Sequence, residues 1–179
     1  MAFRIRLSPA EWQVCEDYSN KIKKKVEHNP NYTGLMESNR FFVGRAGELA
    51  LGHCLRDSGV LFEETVRHDG IPDDQDFIVM NQHGQPRTIN VKNTLHPRGA
   101  NLMQPVSQME KGYRCDYYFG ASGTDLGPDT GIEMCIHGYI AKHEFHDRAL
   151  VKQVKVQTLC YPLARLYPLE SLLSMLKKS

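Results

Sequence analysis

Residues 71–93 read IPDDQDFIVMNQHGQPRTINVKN, and the register of this stretch decides the fold. A polar turn centred on Gly84 separates two apolar runs, 75–80 and 87–92. Side chains alternate across a strand. With Gly84 as pivot, Phe77, Val79, Ile89 and Val91 share one face, and Asp76, Asn90 and Lys92 share the other. A slip of one residue would exchange the two faces. The apolar face is expected to enter a core. The other gathers a carboxylate, an amide and an ammonium, a set suited to a divalent metal meeting a phosphate.

Upstream, Ser8 followed by Pro9 and by Glu11 three residues on is a helix start, and the spacing predicts a helix over 9–28. Residues 29–39 form a turn-rich connector, and 40–57, RFFVGRAGELALGHCLRD, read as a second helix. A strand at 60–67 joins 75–80 and 87–92 as a meander. Downstream, 101–103 is a brief extended piece and 105–111 a short helix. Strands are expected at 113–119, 132–140 and within 150–159, with ASGTDLGPDTG (121–131) as a surface loop. Glu144 and Asp147 fall in a polar helical turn. Residues 168–177 form a terminal helix whose Leu169, Leu172, Leu173 and Leu176 either cap the chain's own core or pair with a second copy. The element order gives an α/β fold, a mixed central sheet flanked by helices. Residues 1–179 form a single domain, with 1–39 as an N-terminal helical extension.

The 179 residues suffice for one full core, and 24% charged with 41% hydrophobic residues is ordinary for a soluble fold. No apolar run is long enough to span a bilayer, and the opening MAFRIRLSPAEW lacks a signal-peptide core. Five cysteines, none in a CxxC pair, point to a reduced, cytoplasmic setting without a disulfide framework or zinc knuckle. Net charge is only +1, low for a strong non-specific nucleic-acid binder. Positive charge is concentrated early, at Arg4, Arg6, Lys21, Lys23, Lys24, Lys25, Arg40 and Arg45. That cluster reads either as a phosphate-facing patch or as a solvated helix end.

Asp76 is the leading metal ligand, with Asp73 and Asp74 as competitors. Lys92 would orient a water or stabilise developing negative charge. Asn90 offers an amide oxygen without charge, and the Val91 carbonyl is a further oxygen donor. Glu48, in GRAGELALG between Gly44 and Gly52, is the carboxylate available to compensate, since helix glycines admit a close neighbour. Beyond Lys92, His96 and Arg98 leave the site on a loop within reach of a DNA backbone. The hairpin tip, Gln82, His83 and Gln85, is a solvated turn or a reader of base edges. His137, His143 and His146 lack a supporting zinc pattern, and Tyr117, Tyr118 and Tyr139 read as sheet packing. No phosphate-binding glycine loop and no serine-nucleophile elbow is present.

Over roughly residues 43–140 the chain resembles the PD-(D/E)xK nuclease superfamily, the restriction-endonuclease-like fold. The matching pieces are Glu48 in a glycine-containing helix, Asp76 in QDFIV, and Asn90-Val91-Lys92 where the family carries carboxylate-x-lysine. Asp116-Tyr117-Tyr118-Phe119 and Gly138-Tyr139-Ile140 match its later strands. The resemblance implies a metal-dependent DNA endonuclease that hydrolyses phosphodiester bonds with water. It implies Glu48, Asp76, Asn90 and Lys92 as the catalytic set, and Asp76, Asn90, Val91 and Glu48 as donors to magnesium, with manganese as substitute. Double-stranded DNA is the implied partner, with Lys23, Lys24, Arg45, His96 and Arg98 as contacts and a homodimer as the working form. Asn90 departs from the family pattern. It leaves open a variant that leans on Glu48, a fold that binds DNA without cutting, and a substitution that traps substrate.

Overall fold

The computed structural model describes residues 2–26, 39–65, 75–95, 101–107, 115–154 and 156–176. In chain order these form β1 (Phe3–Leu7), α1 (Pro9–Val26), α2 (Arg40–Asp57), β2 (Phe62–Glu64), β3 (Phe77–Met80), β4 (Pro86–Thr94) and β5 (Asn101–Pro105). Then follow β6 (Tyr117–Asp125), β7 (Ile132–Ala141), α3 (Lys142–Arg148), β8 (Leu150–Gln153), β9 (Gln157–Pro162), a 3-10 turn (Leu163–Arg165) and α4 (Leu169–Leu176).

The fold is α/β with a mixed sheet. Six strands run in the order β1-β7-β6-β4-β3-β2. The β4–β6 pair is parallel and its neighbours are antiparallel. Strands β5, β9 and β8 make a second, antiparallel sheet. The face assignment matches the sequence expectation, but the register is centred on His83 and not on Gly84: Phe77 lies opposite Ile89 and Ile78 opposite Thr88, which sets Asp76 level with Asn90 and not with Lys92. Gly84 takes a φ of 71°, the left-handed conformation a tight turn favours.

The two faces of the large sheet differ in kind. On one, Phe77, Val79, Ile89, Val91, Phe119, Ala121 and Ile136 pack with Phe42, Ala46, Ala50 and Leu51 of α2 and with Leu169, Leu172, Leu173 and Leu176 of α4. The terminal leucines thus cap the chain's own core. On the other, Tyr118 and Ile140 pack with Leu102 of β5, Phe145 of α3, and Leu159 and Tyr161 of β9. Helices therefore cover mainly one face, and the small sheet covers part of the other.

Three expectations are corrected. Residues 1–39 are more than a helical extension: Phe3–Leu7 form an edge strand on β7, because Phe3, Ile5 and Leu7 alternate with Arg4 and Arg6. The stretch 121–131 is not all loop. Strand β6 continues to Asp125, and the turn is confined to 126–131, closed by Leu126 donating to the Gly131 carbonyl at 3.0 Å. Residues 150–159 hold parts of two strands, β8 and β9. The short helix expected at 105–111 falls mostly outside the described residues. Among the described residues no helix is long and apolar enough to cross a membrane, and no disulfide forms.

Candidate functional site

The β3–β4 ladder ends at Phe77 and Ile89, and Asp76 takes over from it. Its backbone N–H donates to the Ile89 carbonyl at 2.8 Å, and its Oδ2 accepts the Val91 N–H at 2.7 Å. A carboxylate thus occupies the place where a strand carbonyl would sit. Within a strand residue N–H and C=O leave on the same side. The Val91 carbonyl therefore also faces the gap beyond β3. Thr65 donates to the Asp76 carbonyl at 3.0 Å and ties the end of β2 to the same point.

Asn90 lies one residue past Ile89, level with Asp76. It is 3% exposed, Asp76 5%. Its Oδ1 has no hydrogen-bond partner among the described residues, although a buried amide oxygen costs about 1–3 kcal/mol when unpaired. Lys92 follows on the same face, with its Nζ 6.0 Å from the centre of the Tyr118 ring. Tyr118 is the β6 residue paired with Asn90. Asp76, Asn90 and Lys92 are therefore brought together by adjacent strands.

Glu48 approaches from the opposite, helical side. It is 6% exposed, so it is not a surface glutamate. Its Oε2 accepts from Arg45 Nη1 at 2.9 Å, and Arg45 also pairs with Glu64 at the end of β2. The close approach admitted by a helix glycine occurs at Gly47, not at Gly44 or Gly52. A Cβ on Gly47 would lie 2.7 Å from Asn93 Cβ, whereas Gly44 has nothing within 4 Å and Gly52 only ordinary ring contacts. Asn93 Nδ2 also donates to the Val43 carbonyl at 2.9 Å. Helix α2 is thus docked on β4 one residue beyond Lys92, which fixes the level of Glu48. Among the described residues no three histidine, cysteine or carboxylate side chains cluster closely enough to hold a metal.

The expected nucleic-acid contacts fare differently. Arg45 is bound to two carboxylates and lies 5.8 Å from the Tyr18 ring centre, so its charge is committed internally. Lys23 is partly exposed and Lys24 exposed on α1. His96, Arg98, Asp73 and Asp74 lie outside the described residues. The hairpin tip is anchored: Gln82 N–H donates to the Met175 carbonyl of α4 at 3.0 Å.

Sequence reasoning missed Gln104. It sits on the inward side of β5, two residues from Leu102, fully buried, with neither amide atom partnered among the described residues. Its only sequence signal is a polar residue in phase with Leu102. Also missed was the pair Ser122 and His137, whose Oγ and Nε2 lie 2.7 Å apart. Burial holds the His137 imidazole below its usual range, favouring the neutral ring.

The chain finds no match among protein-family models, curated proteins or solved structures.

Proposed function

We propose that the chain is a metal-dependent DNA endonuclease built on a restriction-endonuclease-like variant of its α/β fold. The observation that carries this reading is the end of the β3–β4 ladder. There the buried Asp76 carboxylate holds the Val91 N–H, level with the unpartnered Asn90 oxygen, with Lys92 on the same strand. These are hard oxygen donors beside one cation, and they fit magnesium, or manganese in its place, provided water and phosphate oxygens complete its shell. Asp76, Asn90 Oδ1 and the Val91 carbonyl would hold the ion, and Glu48 is the buried carboxylate that α2 carries on the helix side of the sheet. When bound, the ion supplies Lewis-acid polarisation of the phosphate and a more acidic water.

The chain's own groups do the rest. Asp76 contributes the negative charge. Lys92 is positioned to donate to a phosphate oxygen or to a water, and Tyr118 beneath it limits where the ammonium can go. Asn90 adds an oxygen but no charge, which weakens the metal site relative to a pair of carboxylates. Double-stranded DNA as substrate, a homodimer as the working form and a cytoplasmic setting belong to this reading.

Supercoiled plasmid incubated with the protein and Mg²⁺ or Mn²⁺ tests it. Nicked or linear product is expected, and Asp76→Ala should abolish it; equal product from both proteins would refute the assignment. A second reading, DNA binding without cutting, is favoured by the neutral Asn90 and by the lack of a three-ligand cluster among the described residues. It predicts retention of DNA in EDTA and no product with either metal.

A further inference from the structure

We propose that the groove across β6, β7 and β1 receives the backbone of double-stranded DNA leaving the Lys92 site, with Arg4 and Arg6 as its phosphate contacts. This inference rests on the nuclease reading for its position and stands on separate residues. The groove has a volume of about 510 Å³, and its lining includes Arg4, Arg6, Ser122, Thr124, Cys135 and His137.

Sheet register makes the groove continuous with the site. Lys92 pairs with Gly120, and Thr94 with Ser122; Ser122 pairs with Cys135, and Cys135 with Arg4. One row of the sheet thus runs Thr94–Ser122–Cys135–Arg4, on the face that carries Lys92. Three strand spacings cover about 14 Å, the rise of about four base pairs of duplex. The small sheet packs around Tyr118 and Ile140, at the other end of β6 from Ser122 and Thr124.

Several features of the groove suit a polyanion. Arg4 and Arg6 are exposed and point the same way, since they alternate with Phe3, Ile5 and Leu7. Glu133 lies opposite Arg6 in the register and lines the groove too, which leaves a net excess of one positive charge. His137 is the extra residue where the β6–β7 register shifts between Gly120 and Ala121, since Gly120 faces Gly138 and Ala121 faces Ile136. A bulge re-aims a side chain. Here it sets the imidazole against Ser122 Oγ at 2.7 Å. Because one hydrogen is used between them, the pair has one neutral donor left, the hydroxyl or the other ring N–H according to tautomer, of the kind that accompanies phosphate contacts.

The test is anisotropy of a labelled duplex in Ca²⁺ or EDTA, over a range of salt, for the native chain, Arg4→Ala/Arg6→Ala, Arg4→Lys/Arg6→Lys and Asp76→Ala. The double alanine variant should bind roughly tenfold or more weakly near 0.1 M salt and lower the salt slope by about one to two. The lysine pair should retain binding. Cys135, the partly exposed cysteine of the groove, should be shielded from maleimide by duplex. Plasmid cleavage by the native chain with unchanged affinity in the alanine pair overturns the groove alone. Arginine-dependent binding without any cleavage overturns the nuclease reading alone. No duplex binding by the native chain overturns both.

Discussion

Replacing Asn90 by Asp adds a negative charge and exchanges the amide N–H donors for an acceptor oxygen at almost no change in volume, so its largest effect is electrostatic. Asn90 is 3% exposed, level with the Asp76 carboxylate on the adjacent strand. Directly opposed residues on neighbouring strands have Cβ atoms about 5 Å apart. Two full charges at that separation repel by about 3 kcal/mol at an effective dielectric of 20. Lys92 on the same face offsets part of this, so about 3 kcal/mol is an upper figure. For a chain of this length each kcal/mol moves the melting point by about 2–4 °C. Asn90→Asp in EDTA at pH 7.5 should therefore melt up to roughly 6–12 °C below the native chain.

The pH dependence has a definite sign. The new carboxyl, buried beside Asp76, takes a raised folded pKa. Its penalty is absent well below the ordinary carboxylate range and grows as pH rises through the folded value. The gap between variant and native chain should thus close near pH 4 and open toward pH 8. Millimolar Mg²⁺ should reverse the loss. An ion present at 100 times its dissociation constant returns about 2.7 kcal/mol, and the second carboxylate should raise plasmid cleavage. Melting curves with and without metal check both signs. Identical melting of variant and native chain in EDTA would show that the two positions do not share a confined face. An equal metal response in both would refute the clamp.

Other substitutions probe how the site is held. Gly47→Ala brings a Cβ to 2.7 Å from Asn93 Cβ and should cost about 1–3 kcal/mol, while Gly44→Ala, with nothing within 4 Å, should gain roughly 0.5–1 kcal/mol; urea titration separates them. Glu11 is pushed up by burial but held below 4.5 overall by its hydrogen bonds to His53 and Ser8. Its stabilisation is present above 4.5 and lost as pH falls through its lower folded pKa, so Glu11→Gln should flatten the acid limb of a pH–stability curve. Gln104→Leu should stabilise the chain by about 1–3 kcal/mol by removing an unpartnered buried amide; a loss in urea titration instead would place an ordered water there.

What could be read from the chain was local. The capping box is one case: Ser8 N–H donates to Glu11 Oε2 at 2.8 Å, and Glu11 N–H returns a bond to Ser8 Oγ at 3.3 Å. The bounds of α2 and the sharing of one face by Phe77, Val79, Ile89 and Val91 were likewise written in spacing, while the pairing of Phe77 with Ile89, two residues from what a Gly84 pivot gives, was not. Strand β1 carried its own signal, FRIRL, but stood directly before a strong helix start. Other features depend on partners distant in sequence. A Cβ at Gly123 would lie 2.5 Å from the Glu133 carbonyl oxygen and from Met134 Sδ of β7, so the need for glycine there comes from a neighbouring strand. Gly47 matters through Asn93, and Gln104 through a second sheet that no single stretch announces. Glu48 was recognisable as a site candidate, while its pairing with Arg45, and Arg45's with Glu64, required the tertiary fold.

The division of the large sheet into two unlike faces explains how such a site can be carried at all. Buried Asp76, Asn90 and Gln104 each lower stability unless something pairs with them. A 179-residue domain tolerates that only if stability comes from elsewhere. The helix-covered face supplies it: its strands present Phe77, Val79, Ile89, Phe119 and Ile136 to α2 and α4 with little polar interruption. Alternation then does the separating, since each strand residue that feeds the core has a neighbour on the other face. Ile89 and Val91 anchor β4 in hydrocarbon, and Asn90 and Lys92 are held rigidly because of it. Rigid strands position functional groups more tightly than loops do. A substitution at Ile89 should accordingly loosen the site through its scaffold, whereas one at Asn90 acts directly on the charge and hydrogen bonding of the site.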